Sequence, residues 1–120
     1  FLRPTVVGNL SHTSRCATEE IFGPMVTLHT FVTEVEALEM VNASEYGLAG
    51  SVWTNDLVRG REFSGKIDTG MVWVNTWLHR DLRTPFGGVK NSGVGREGGQ
   101  WSLDFFSEMT NVCIKDLGTE

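Results

Sequence analysis

The sequence predicts a layered α/β domain whose mostly parallel sheet is flanked by helices. Three observations predict it. Apolar runs of strand length alternate with segments of helical spacing through most of the 120 residues. The run Met71-Val-Trp-Val74 has no polar face, as a strand buried on both sides requires. That run leads into a long polar, glycine-rich loop, and in such sheets ligands sit beyond the carboxyl ends of strands.

In chain order, Pro4 to Leu10 opens as a strand and Ser11 to Glu20 is a polar loop. Met25 to Phe31 alternates as a strand does. Thr33-Glu-Val-Glu36 is a capping box, and Val35, Leu38 and Val41 continue it at helical spacing until Tyr46-Gly47 ends the segment. Leu48 to Trp53 is a further short strand. Asn55-Asp56 caps a second helix reaching to about Ile67, which Gly60 and Gly65 weaken. Asp68-Thr-Gly70 turns into the Met71–Val74 strand. Trp77 to Gly95 is a long loop, of the kind that usually carries function. Glu97 to about Glu108 is a third helix and Asn111 to Lys115 a last strand.

The bulk numbers exclude several classes. A net charge of −5, with no basic stripe, argues against nucleic acid as a partner. No run approaches the roughly 18 apolar residues of a membrane span, and no signal peptide is visible, so a cytoplasmic setting is expected. Cys16 and Cys113 lie far apart without ligand spacing, which suits buried free thiols in a reducing compartment. His12, His29 and His79 are scattered and suggest no metal site.

The chemistry concentrates in two stretches. Pro85 to Gly99 holds six glycines in fifteen residues, which implies unusual dihedrals or close backbone approach. Its Gly93-Val-Gly-Arg-Glu-Gly98 matches GxGxxG, but no strand directly precedes it and too little chain follows for a βαβ unit. A glycine-rich turn that positions the next helix is the better reading. The second stretch is Glu19-Glu-Ile-Phe-Gly-Pro24. Adjacent carboxylates on extended chain point apart, so the pair alone reads as solvated. Arg80 and Arg83 flank Asp81 in the long loop. They are either exposed surface residues or recognise a carboxylate.

Together these stretches resemble the C-terminal part of an NAD(P)-dependent aldehyde dehydrogenase. The resemblance rests on the order Glu20-Ile-Phe-Gly-Pro24, apolar strand, Asn75, loop, Pro85-Phe-Gly-Gly88, Lys90, Ser92-Gly-Val-Gly-Arg-Glu97. It covers essentially the whole chain. It implies that residues 1–110 are the C-terminal part of the catalytic domain and 111–120 an oligomerisation strand and tail. Glu20 would accept hydrogen bonds from the nicotinamide-ribose hydroxyls, and Phe22 would pack near the nicotinamide ring. Phe86 would line the aldehyde pocket, with Asn75 closing the strand that leads to it.

The run Arg80-Asp-Leu-Arg-Thr-Pro-Phe-Gly-Gly88 looks like the 2-hydroxymuconic and 2-aminomuconic semialdehyde dehydrogenases, in which the matching arginine, here Arg80, contacts a substrate carboxylate. Arg83 would pair with Asp81 or another carboxylate. The implied reaction oxidises an aldehyde to a carboxylic acid with NAD as hydride acceptor, NADP remaining open. The nucleophilic cysteine, the general base and the dinucleotide fold match nothing here, and Cys16 stands in the wrong place to be the nucleophile. The chain is therefore expected to be a fragment, inactive alone, of an enzyme that forms a homo-oligomer through its last strand. The alternatives are a dehydrogenase of carboxymethyl-hydroxymuconic semialdehyde, betaine-aldehyde or retinal type, or a truncated, non-catalytic interaction module.

Overall fold

Two side-chain caps start the main helices. The computed structural model describes residues 1–118. Its elements are β1 (Thr5–Val7), α1 (Arg15–Thr18), β2 (Met25–Thr27), α2 (Glu34–Asn42), β3 (Tyr46–Gly47), β4 (Ala49–Val52), α3 (Leu57–Ser64), β5 (Met71–Val74), β6 (Val89–Lys90) and α4 (Gly99–Phe106). Thr33 Oγ1 accepts from the Glu36 N–H at 3.2 Å to start α2. The reciprocal arm of the box lands one residue early, Glu36 Oε2 accepting from the Val32 N–H at 2.7 Å. Asp56 Oδ1 caps α3 by accepting from the Arg59 N–H at 3.0 Å.

The centre of the structure is the unit β4–α3–β5. β4 and β5 pair in parallel, Ala49 opposite Met71 through Val52 opposite Val74, so the parallel reading of Met71–Val74 holds, while only Trp73 of the four is buried. Gly60 is buried on α3, and a side chain there would strike Val74 and Thr54. The residue that lowers helix propensity is thus the one that lets the helix approach the sheet. β1 and β2 form a second parallel pair. β3 and β6 form an antiparallel pair of two residues each.

The expected single layered sheet is instead three separate two-stranded sheets. Interior surface is correspondingly scarce. Ala37 and Trp73 are the buried hydrophobic residues among those described, while many large apolar side chains are exposed. The radius of gyration is 21.1 Å, against about 13.6 Å for a compact chain of this length.

Four expectations need correcting. The 11–20 loop contains the short helix α1, and the strand begun at Met25 stops at Thr27. Cys16 and Cys113 are both exposed free thiols, not buried ones, because neither segment has a core to enter. Asn111–Lys115 forms no strand, and Val112 and Ile114 are exposed. A strand exists only where an edge accepts its backbone hydrogen bonds, and no described segment offers one there. The last two residues of the expected 111–120 tail, Thr119 and Glu120, lie outside the described residues. No helix among the described residues is long and apolar enough to cross a membrane, and these residues hold no cluster of three or more metal-ligating side chains.

Candidate functional site

β5 delivers the chain to the long loop, and its last residues pin the loop's start. Trp73 is buried and donates from Nε1 to the His79 carbonyl at 2.8 Å. Its ring meets Trp77 edge-on with centroids 5.0 Å apart. Asn75, at φ 55, is bonded on both sides of its amide to Thr54: Oδ1 accepts from the Thr54 N–H at 2.8 Å, and Nδ2 donates to the Thr54 carbonyl at 2.7 Å. Asn75 therefore staples the ends of β4 and β5 together.

The two loop arginines have different surroundings. Arg83 Nε lies 2.9 Å from Asp81 Oδ1, and its Nη2 bonds Oδ2 of the same carboxylate. These bonds hold the Asp81 carboxyl below, and the Arg83 guanidinium above, its ordinary range. Arg83 pairs with Asp81, as one of the two expectations for it had it. Arg80 instead stands over Phe86, its Cζ 4.1 Å from the ring centroid. Among the described residues its carboxylate partner is Glu97, at 3.4 Å from Nη2 to Oε1. Phe86 and Glu97 are themselves joined by an antiparallel bridge with reciprocal N–H to carbonyl bonds of 2.8 and 2.7 Å. The structure thus brings Arg80 and Phe86 together, with Glu97 as a third member that the sequence reading did not single out.

The glycine-rich stretch supports this group. Gly98 caps α4 at φ 104, and a Cβ there would collide with the Thr84 carbonyl. α4 begins at Gly99, so the turn does position a helix, though two residues later than expected. Lys90, which sits in the motif between the glycines, ties three segments. Its Nζ donates to the Asn42 and Ser44 carbonyls and pairs with Asp68, each at 3.0 Å. Its role among the described residues is structural.

Glu19 and Glu20 diverge. Arg15 grips Glu19 with Nε and Nη2 at 2.8 and 2.9 Å, which holds the Glu19 carboxyl below its usual range. Glu20 makes no side-chain hydrogen bond or ion pair among the described residues and lines an open cleft of about 530 Å³ with Tyr46, Thr69 and Asn91. Phe86 lines a second cleft of about 290 Å³ with Val94, Arg96 and Phe106. Leu48 and Ser92 line both, so the two clefts adjoin. Phe22 is 92% exposed and held at φ 52, a region a bulky residue rarely adopts. No described cleft encloses it, so the structure does not bring Phe22 to the other three.

These features define the class: an α/β chain with a free carboxylate on one cleft and, beside the adjoining cleft, an aromatic-backed arginine. The family model for the aldehyde dehydrogenase family matches residues 1–112, and the chain belongs to that family. It is 48% identical over 115 residues to 2-hydroxymuconic semialdehyde dehydrogenase of Pseudomonas putida, covering 96% of this chain and 24% of the relative. To 2-aminomuconic 6-semialdehyde dehydrogenase of a Pseudomonas species it is 49% identical, covering 96% and 23%. It superimposes on an aldehyde dehydrogenase of Mycobacterium tuberculosis, solved with NAD+, at a TM-score of 0.88 and 41% identity, covering all of this chain and 25% of that one. The chain spans about a quarter of the length of these relatives.

Proposed function

We propose that this chain is the C-terminal part of the catalytic domain of an NAD-dependent aldehyde dehydrogenase, and that the full enzyme oxidises a carboxylate-bearing semialdehyde to the corresponding acid. Residues 1–110 supply catalytic-domain surface and 111–120 a tail through which subunits associate, 111–115 pairing as a strand on that contact. A cytoplasmic setting suits its two unbridged cysteines.

The residues present suit the cofactor. Of the adjacent carboxylates, Arg15 occupies Glu19, and Glu20 is left on an open cleft. A free carboxylate can accept from two vicinal hydroxyls at once. NAD, when bound, would take up the hydride. Glu20 would fix the nicotinamide ribose. The left-handed Phe22 turns the chain at Gly23-Pro24 and would limit how the ring sits.

The observation that carries the substrate reading is Arg80 lying over Phe86. The ring lines a cleft, and the guanidinium on its face offers donors to a carboxylate at the pocket's edge. In the full-length enzyme, where the substrate pair is desolvated, Arg80→Ala should cost about 2–5 kcal/mol in kcat/KM for a semialdehyde bearing a carboxylate, with a much smaller loss for an uncharged aldehyde of equal length. Equal losses on both substrates would assign Arg80 to loop support.

A further inference from the structure

Glu97 is held beside the arginine by main chain, not by the ion pair. Its N–H and carbonyl are both bonded to Phe86, at 2.7 and 2.8 Å. The backbone that sets the ring under Arg80 therefore also sets the carboxylate next to it. The pair itself is loose: one contact of 3.4 Å, with side chains 38% and 60% exposed. Arg83 provides the contrast, because Asp81 takes its guanidinium through both oxygens. Arg80 keeps its Nε and Nη1 donors unshared among the described residues.

We propose that Glu97 is an internal competitor for Arg80, a carboxylate that occupies the guanidinium until the substrate's carboxylate displaces it, and so a specificity-determining residue. The proposal rests on the reading of Arg80 as the substrate's carboxylate partner. An exposed single-contact pair is weak enough to exchange. A substrate carboxylate that engages the unshared donors in a fork gains a stronger, charge-assisted pair. Glu97 then remains close by as a negative charge. It lowers the affinity for acidic aldehydes and disfavours a second carboxylate at that end.

The test uses the full-length enzyme with 5-oxopentanoate and pentanal as an acidic and a neutral substrate of equal length. Glu97→Gln should lower the ratio of KM for 5-oxopentanoate to KM for pentanal by about two- to five-fold, the range set by an exposed pair. Glu97→Asp, whose shorter side chain withdraws the charge, should shift the ratio in the same direction by less, and it stands in if the Gln variant does not fold. In an Arg80→Ala background, Glu97→Gln should leave the ratio unmoved. An unchanged or raised ratio in the single variant, or a shift that survives without Arg80, would overturn the proposal. If Arg80→Ala alone raises the ratio while Glu97→Gln does not lower it, the competitor role falls and the arginine reading stands. If Arg80→Ala leaves the ratio unchanged, both fall.

Discussion

Glu19 and Glu20 show how much one neighbour decides. The two carboxylates are chemically alike and adjacent, but Arg15 sits four residues before Glu19, so α1 brings that pair onto one face. Glu20 falls past the helix end, with no such partner. The expected consequence is functional rather than structural. In the full-length enzyme Glu20→Gln keeps the shape but loses charge-assisted hydrogen bonds, each worth about 1.5–3 kcal/mol. The KM for NAD should rise about tenfold or more, or hydride transfer should slow, while the melting temperature stays where it was. Steady-state kinetics with varied NAD and a thermal melt check this. Unchanged kinetics would return Glu20 to an ordinary solvated carboxylate. The same logic separates Arg83, consumed by a residue two positions away, from Arg80, which meets Phe86 and Glu97 at separations of six and seventeen residues.

At the level of elements, local chemistry was legible where it acts over a few residues. Thr33 and Asp56 begin α2 and α3 because each side chain reaches an N–H three positions on. Met71–Val74 announced a parallel strand through the lack of a polar face. The sheet's division into three pairs was not legible, because pairing depends on edges that sequence spacing does not specify. β3 and β6, two residues each, carry no pattern at all and are held together by Lys90 and by the Ser92 hydroxyl, which accepts from the Gly47 N–H at 2.9 Å. Of the candidate site, the arginine–phenylalanine pair was visible through the family motif. Glu97 was read as the end of the family motif and the start of a helix, not as a neighbour of Arg80, because that partner is distant in sequence.

The glycine-rich turn makes a prediction at this scale. Gly98 combines φ 104 with a carbonyl in the space a Cβ would take, and such left-handed strain costs about 1–3 kcal/mol. Gly98→Ala should destabilise the full-length enzyme by about that amount and selectively weaken acidic substrates, since Thr84 and the arginine loop must move. Gly8→Ala, with nothing within 4 Å of its added Cβ among the described residues, is the control. Chemical denaturation and the acidic-to-neutral KM ratio are the readouts. A Gly98→Ala enzyme as stable as the control would mean that the turn relaxes freely.

For the whole molecule, the decisive fact is how little the chain buries for its size. The exposed apolar residues include Phe105, Phe106, Met109, Val112 and Ile114, which cross from α4 into the tail. Exposed apolar surface on this scale marks an interaction face. In the tail it is joined to backbone whose N–H and carbonyl groups join no ladder among the described residues. Such a segment can add to the sheet edge of a second subunit, where main-chain bonds supply affinity and alternate side chains supply fit. Val112 and Ile114 lie two residues apart, so on a strand both would face the same side and bury together. Deleting residues 111–120 from the full-length protein should therefore reduce its mass in solution to smaller species, or cause aggregation as the bared edge pairs nonspecifically. Light scattering on the purified truncation decides between these outcomes and the native assembly. Retention of the native oligomer would show that other surfaces hold the subunits together and that the tail is dispensable. Val112→Lys with Ile114→Lys in the intact chain should reproduce the loss, because the strand's length and backbone would be unchanged and only its apolar face would be gone.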